Sequence, residues 1–194
     1  HGRMGLHPAV QTAGAWRTPL GDVPIASDVA QLIAAALPDF ETSPAAFRGE
    51  HSLEVQLPFL QYLYEQDLRF VPVMMADQDL RAAETVGAAL ATALQGRDAV
   101  IVASTDMTHY ESPQTALRQD QLLIERIEAL DPAGLIRTRQ VHGISMCGVG
   151  PVAAMLFAAR ALGATSARKL AYATSGDVMP SYEVVGYLSA VVTR

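Results

Sequence analysis

A single cysteine, Cys147, cannot close an internal disulfide, and nothing in the cysteine usage points to an oxidising compartment. The 14 Lys and Arg residues never form a run longer than two, and the net charge is −6. Both facts argue against a nucleic-acid partner, because phosphate recognition needs clustered cations. No segment reaches the roughly 18 consecutive apolar residues of a bilayer-spanning helix, so no membrane partner is expected. The first residues lack the basic-then-apolar order of a secretory signal, and the expected location is the cytoplasm. Common catalytic signatures are missing too. There is no Gly-x-Ser-x-Gly elbow, no Gly-Lys-Ser/Thr phosphate loop and no dinucleotide fingerprint behind a strand. No cysteine pair has zinc-finger spacing. Serine hydrolase, nucleotide triphosphatase and NAD-enzyme readings fall away together.

What is present is apolar: half of the residues are hydrophobic and only 18% are charged. That excludes a disordered chain. A mean hydropathy of +0.18 fits a well-buried globule, with a homo-oligomer as one way to bury more. The 194 residues suit one domain of ordinary size. With no repeat, low-complexity tract or linker, residues 1–194 are expected to form that single domain.

The pattern alternates strands and helices. Residues 1–21, rich in Gly and Pro, read as loop. Asp28 can cap a helix running to about Leu37, before Pro38. Between Glu50 and Glu65, the residues Leu53, Leu57, Leu60 and Leu63 share a helical face that Pro58 should kink or divide. Phe70 to Met74 reads as a strand, and 78–95 as an amphipathic helix with Leu80, Val86, Leu90 and Leu94 inward. The unbroken apolar run Ala99 to Ala103 predicts a central strand covered on both faces. Helices are expected at 113–130, 131–139 and 149–162, and closing strands at 169–174 and 184–192. This alternation implies a three-layer α/β architecture. In such folds, chemistry collects on loops at the carboxyl ends of strands, where Ser104 to Tyr110 falls.

Four groups could carry chemistry. In that loop, Asp106 and His109 can act as an orienting carboxylate and a proton-transfer group, or simply as a turn cap and a packed ring. Glu50, His51 and Glu54 open a helix, with the two acids on one face. Acids in a first turn also favour the helix dipole with no further role. Cys147 lies in a Gly-rich loop ahead of a helix, a setting for a thiolate ligand or nucleophile, although a lone cysteine is more often a small buried hydrophobe. His1 and His7 read as surface residues of a terminal segment, and a free N-terminal His can chelate copper.

Taken together, the blocks Trp16-Arg17-Thr18-Pro19-Leu20-Gly21, Glu50-His51-Ser52-Leu53-Glu54-Val55-Gln56-Leu57-Pro58-Phe59, Ser104-Thr105-Asp106-Met107-Thr108-His109-Tyr110, Cys147-Gly148 and Val185-Gly186-Tyr187 resemble the Memo family, which includes the AmmeMemoRadiSam system protein B. They occur in the family's order and span essentially the whole chain. The resemblance implies the fold of LigB-like class III extradiol ring-cleavage dioxygenases, a three-layer α/β/α arrangement with a mixed central sheet. Those enzymes hold Fe(II) with two His and a carboxylate. Memo-like proteins place a cysteine at the carboxylate position, which Cys147 matches. His1 matches the family's second metal-binding His, His109 the dioxygenase acid/base, and Asp106, Glu50, His51 and Glu54 further pocket positions.

One departure follows. The family's first metal-binding His lies in an upstream Pro-His-Ala-Gly-Tyr segment that this sequence does not contain. One ligand and the N-terminal elements of the family fold are therefore expected to be missing from the 194 residues. Thiolate is softer than carboxylate and suits copper or zinc better than oxygen-loving metals, though a His₂Cys set can still hold iron; iron or copper is the expected cofactor. Three functions compete. The first is a metal-dependent oxidoreductase, held by His1 and Cys147 with His109 moving the proton. The second is a non-catalytic adaptor binding a peptide or small metabolite. The third is a cysteine hydrolase built from Cys147, His109 and Asp106.

Overall fold

A computed structural model describes residues 7–42, 44–64 and 68–194. They fall into two compact units, one of His1–Asp77 with Ala88–Val100, the other of Gln78–Gly87 with Ile101–Arg194.

In the first unit, β1 (Ala9–Val10) pairs antiparallel with β4 (Val73–Met74), and β2 (Ala15–Thr18) forms a hairpin with β3 (Gly21–Pro24). Residues 1–21 were expected to be loop throughout. The Pro19 and Gly21 that suggested loop are instead turn residues of the hairpin, with Gly21 at φ 118, a conformation open to glycine. Helix α1 (Ser27–Ala36) ends just before Pro38, as expected. Its N-cap is Ala26 rather than Asp28, and Asp28 instead sits in the first turn and faces Arg69 and Arg97 at 3.6 and 3.7 Å. Helix α2 (Leu57–Tyr64) starts at the point where Pro58 is harmless, in its first turn, after a short 3₁₀ segment at Glu54–Gln56. Leu57 is buried on it, but Leu63, placed inward by periodicity, is 71% exposed. A small core packs Ala9, Phe47 and Met74 against Trp16, Ala46 and Leu53. Trp16 meets Phe47 and Phe70 edge-on, and its indole N–H donates to Gln11 Oε1 at 2.8 Å.

Helix α3 (Leu80–Leu94) buries Val86, Leu90 and Leu94 as its spacing predicts, whereas Leu80 at its first position is 42% exposed. The strand expected at 99–103 is not formed. Among the described residues this run has no ladder partner, and Val100 and Val102 are 78% and 48% exposed. Hydropathy alone cannot supply a strand's neighbours, and an extended apolar run pairs only if another strand lies beside it. The strand expected over 70–74 is likewise reduced to β4 and a lone parallel bridge between Ile25 and Phe70.

The second unit is closer to expectation. Here α4 (Pro113–Glu128) is capped by Ser112, whose oxygen accepts the Thr115 N–H, and α5 (Pro132–Val141) by Asp131, which accepts the Gly134 N–H. They pack with α6 (Val149–Ala161) and against a three-stranded antiparallel sheet of order β5 (His109–Glu111), β7 (Val184–Thr193), β6 (Ser166–Thr174). Leu123, Ile124, Leu135, Met146 and Leu156 lie in the buried interior. Mixed helices and small antiparallel sheets make the chain an α/β protein. No helix among the described residues is long and apolar enough to cross a membrane.

Candidate metal centre

Cys147 ends the loop before α6, at the positive end of a helix of 13 residues. Its sulfur accepts the backbone N–H of Asp106 at 3.2 Å, and its own N–H donates to the Asp106 carbonyl at 3.3 Å. The two loops are thus stitched by one backbone–backbone bond and one backbone–sulfur contact. Thr105 adds a clasp: its hydroxyl lies 3.7 Å from the sulfur and accepts the Gly148 N–H at 2.8 Å. Gln78 holds the other side, donating to the Cys147 carbonyl at 3.0 Å and accepting the Gly150 N–H at 3.0 Å. Gly148 and Gly150 permit this closeness. A Cβ at Gly148 would come within 2.7 Å of the Ser104 carbonyl, and one at Gly150 within 2.8 Å of Gln78.

His109 reaches the same place from β5. Its Nδ1 lies 3.0 Å from the Ser145 carbonyl, and a carbonyl can only accept, so Nδ1 carries the proton. Nε2 points towards Asp106, whose carboxylate oxygen is 3.7 Å away. A histidine whose Nδ1–H is tied to a backbone carbonyl is a common arrangement for imidazole metal ligands. The Ser145 hydroxyl also accepts the His109 backbone N–H at 2.7 Å. Tyr110, next along, takes a left-handed φ of 57, at the irregularity that separates His109 from Glu111 in the pairing with β7.

The outcome is a cluster of donors from Asp106, His109 and Cys147, each half-buried, all within 4.8 Å of one another. Carboxylate, imidazole and a cysteine sulfur at that spacing are groups that could together hold a transition metal, and they differ from the all-oxygen donors of a magnesium or calcium site. Asp106 and His109, read as the proton-transfer pair, and Cys147, read as a ligand, are thus brought together. His1 lies outside the described residues.

Glu50, His51 and Glu54 belong to the first unit. They line an open groove of about 840 Å³ together with Trp16, Arg17 and Arg48. Glu50 is committed locally, since its carboxylate accepts the backbone N–H groups of Ser52 and Leu53 at 2.7 and 3.0 Å and the Ser52 hydroxyl as well. His51 and Glu54 are exposed. Sequence reasoning did not single out Thr105, Ser145 or Gln78. Thr105 lay inside a quoted block; Ser145 and Gln78 carry no local signal, because their partners are 36 and 69 residues distant.

A thiolate, an imidazole and a carboxylate on adjoining loops of an α/β unit define a candidate metalloprotein. The comparisons agree with the sequence blocks and make the class specific. The Memo-like protein family matches residues 1–191. A MEMO1 family protein of Methanopyrus kandleri is 47% identical over 197 aligned positions, covering 100% of this chain and 70% of the relative. Another, from Pyrobaculum aerophilum, is 40% identical with the same coverage. A third, from Methanothermobacter thermautotrophicus, is 43% identical over 96% of this chain and 68% of its own length. The chain belongs to the Memo-like family.

Proposed function

We propose that this chain carries the metal centre of a non-haem metal-dependent oxidoreductase, on the dioxygenase-like three-layer α/β/α fold with a mixed central sheet that its family resemblance implies. The observation that carries the reading is the convergence of Asp106, His109 and Cys147 within 4.8 Å. Cys147 is the anchoring ligand. Its sulfur accepts the Asp106 N–H and sits at the N-terminal end of α6. His1 is the second ligand that the family pattern assigns. His109 takes and returns a proton at Nε2, the nitrogen that its Nδ1 bond to Ser145 leaves free. The Asp106 carboxylate lies beside that ring, 3.7 Å from Nε2, where it can orient it. A bound iron or copper would supply one-electron chemistry and an open position for a small-molecule substrate.

Elemental analysis after anaerobic reconstitution with Fe(II) or Cu(I) tests this. Near-stoichiometric metal in the native chain, lost in Cys147→Ala and kept in an inactive His109→Ala, supports it. Loss of metal in His109→Ala would make the ring a ligand instead of the proton carrier. A full-length protein that includes the upstream His and takes up neither metal would sink the oxidoreductase reading.

A second reading has its own observation. The groove that His51 and Glu54 line is open and mixed in charge, as a binding module for a peptide or small metabolite would require. Ligand binding that survives chelator and His109→Ala, and is lost in His51→Ala, would favour it.

A further inference from the structure

Helix α4 carries an aspartate on its apolar face. Asp120 falls on the stripe of Ala116, Leu123, Ile124 and Ile127 and is fully buried. A carboxylate there is costly unless hydrogen bonds replace its water. Three do. Thr108 donates its backbone N–H at 2.9 Å and its hydroxyl at 2.6 Å to one oxygen, and the Tyr172 hydroxyl donates at 2.7 Å to the other. No ion pair involves Asp120 among the described residues, so these neutral donors carry the load. Thr108 lies between Asp106 and His109 and is itself fully buried.

The strand next door is shaped around this carboxylate. Gly186 accepts the Met107 N–H and donates to the Thr108 carbonyl, both at 2.9 Å. A Cβ at Gly186 would lie 2.1 Å from Asp120 Oδ2. This accounts physically for the glycine in the Val185-Gly186-Tyr187 block, which the metal cluster itself does not explain. The loop is pinned near its midpoint by a group whose hydrogen bonds go to Thr108 and Tyr172.

We propose that Asp120 is a positioning residue, which sets the register of Asp106 and His109 against Cys147 through Thr108, with Tyr172 holding the second carboxylate oxygen in place. The proposal rests on the metal-centre reading for its consequence and on the hydrogen bonds alone for its mechanism. If the loop is released, the Asp106 main chain no longer holds Cys147 in place, and a partner outside the ligand set typically changes metal affinity by about 10–100-fold.

The test uses the full chain with Co(II) as probe, read by its thiolate charge-transfer band, and hydrogen exchange of the metal-free protein. In Asp120→Ala, Co(II) affinity should fall at least about tenfold. Exchange should quicken in peptides spanning 104–110 and stay unchanged in those spanning 133–141. Asp120→Asn retains an acceptor for Thr108, and should recover most of the affinity and the local protection. If Asp120→Ala fails to fold, Thr108→Val and Tyr172→Phe each remove one donor, and should quicken the same loop to a smaller extent. Unchanged loop exchange in these variants overturns the proposal, as does uniformly faster exchange across both regions, the sign of a merely structural role. A wild-type chain that binds no Co(II) would count against the metal centre, while the exchange arm would still decide the positioning role.

Discussion

Asp106 and Cys147 exchange two contacts, the Asp106 N–H to the sulfur at 3.2 Å and the Cys147 N–H to the Asp106 carbonyl at 3.3 Å. One contact is main chain to main chain and survives any side-chain change at either position, whereas the other is lost with the sulfur. The weak point is the neighbouring glycine. A methyl at Gly148 would meet the Ser104 carbonyl and the Thr105 side chain at 2.7 Å, forcing the loops apart. Gly148→Ala is expected to cost about 1–3 kcal/mol of stability, as overpacking does. It should also weaken metal uptake more than an equally destabilising change elsewhere in the unit. Urea denaturation and Co(II) titration on one sample check this; an unperturbed variant would mean that the loops are not in van der Waals contact.

How much of this was legible beforehand differs by element. Helices α4, α5 and α6 were readable because their signals are local: Ser112-Pro113 and Asp131-Pro132 mark the starts, and apolar spacing marks the faces. The Asp106, His109 and Cys147 positions were visible as blocks, but their meeting was not. It depends on Thr105 and Gln78 bridging segments far apart in sequence. The apolar run at 99–103 misled, because hydrophobicity reports what a strand would bury and says nothing of what lies beside it. Asp120 left a detectable trace, a carboxylate at helical spacing on an otherwise apolar stripe, which calls for buried partners.

Gly87, in the middle of α3, owes its identity to a close approach within the second unit. A Cβ there would lie 2.5 Å from that of Phe157 and 2.8 Å from the Ala154 carbonyl. Alanine normally favours a helix interior by about 1 kcal/mol over glycine. At this site the sign should reverse, with Gly87→Ala destabilising by about 1–3 kcal/mol. Chemical denaturation of the variant measures it, and a stabilised protein would show that α3 and α6 have room to separate.

Asp177 closes a capping box with Thr174, accepting its backbone N–H at 2.6 Å and its hydroxyl at 3.0 Å. Those bonds, the backbone one first, hold the Asp177 carboxyl below its ordinary value. A depressed value means the unfolded chain takes up the proton first. The contribution to stability is therefore present above the ordinary carboxylate range and fades as pH falls through the folded value. Asp177→Asn should therefore differ most from the native chain near neutrality and converge with it in acid. Urea midpoints across an acid pH series read the gap, and a gap that stays constant would mean that the box is not formed in solution.

Tyr172 behaves in the opposite sense. Burial first, and then its hydrogen bond to the Asp120 carboxylate, hold its phenol well above the ordinary range near 10. Between the unfolded and folded values the native state keeps a proton that the unfolded chain has lost. Its stabilising effect is thus complete below about pH 10 and declines as the solution becomes more alkaline. Tyr172→Phe abolishes this term while leaving both Thr108 bonds to Asp120 in place. The native chain should therefore be the more stable at neutral pH, with its lead over the variant narrowing above pH 10. The phenolate absorbance missing from the variant should develop late in a spectrophotometric titration, only as the native fold gives way. An early-titrating Tyr172 signal, with a pH-independent stability gap, would mean that the hydroxyl faces water rather than Asp120, and the anchor under the 104–110 loop would then lack its second support.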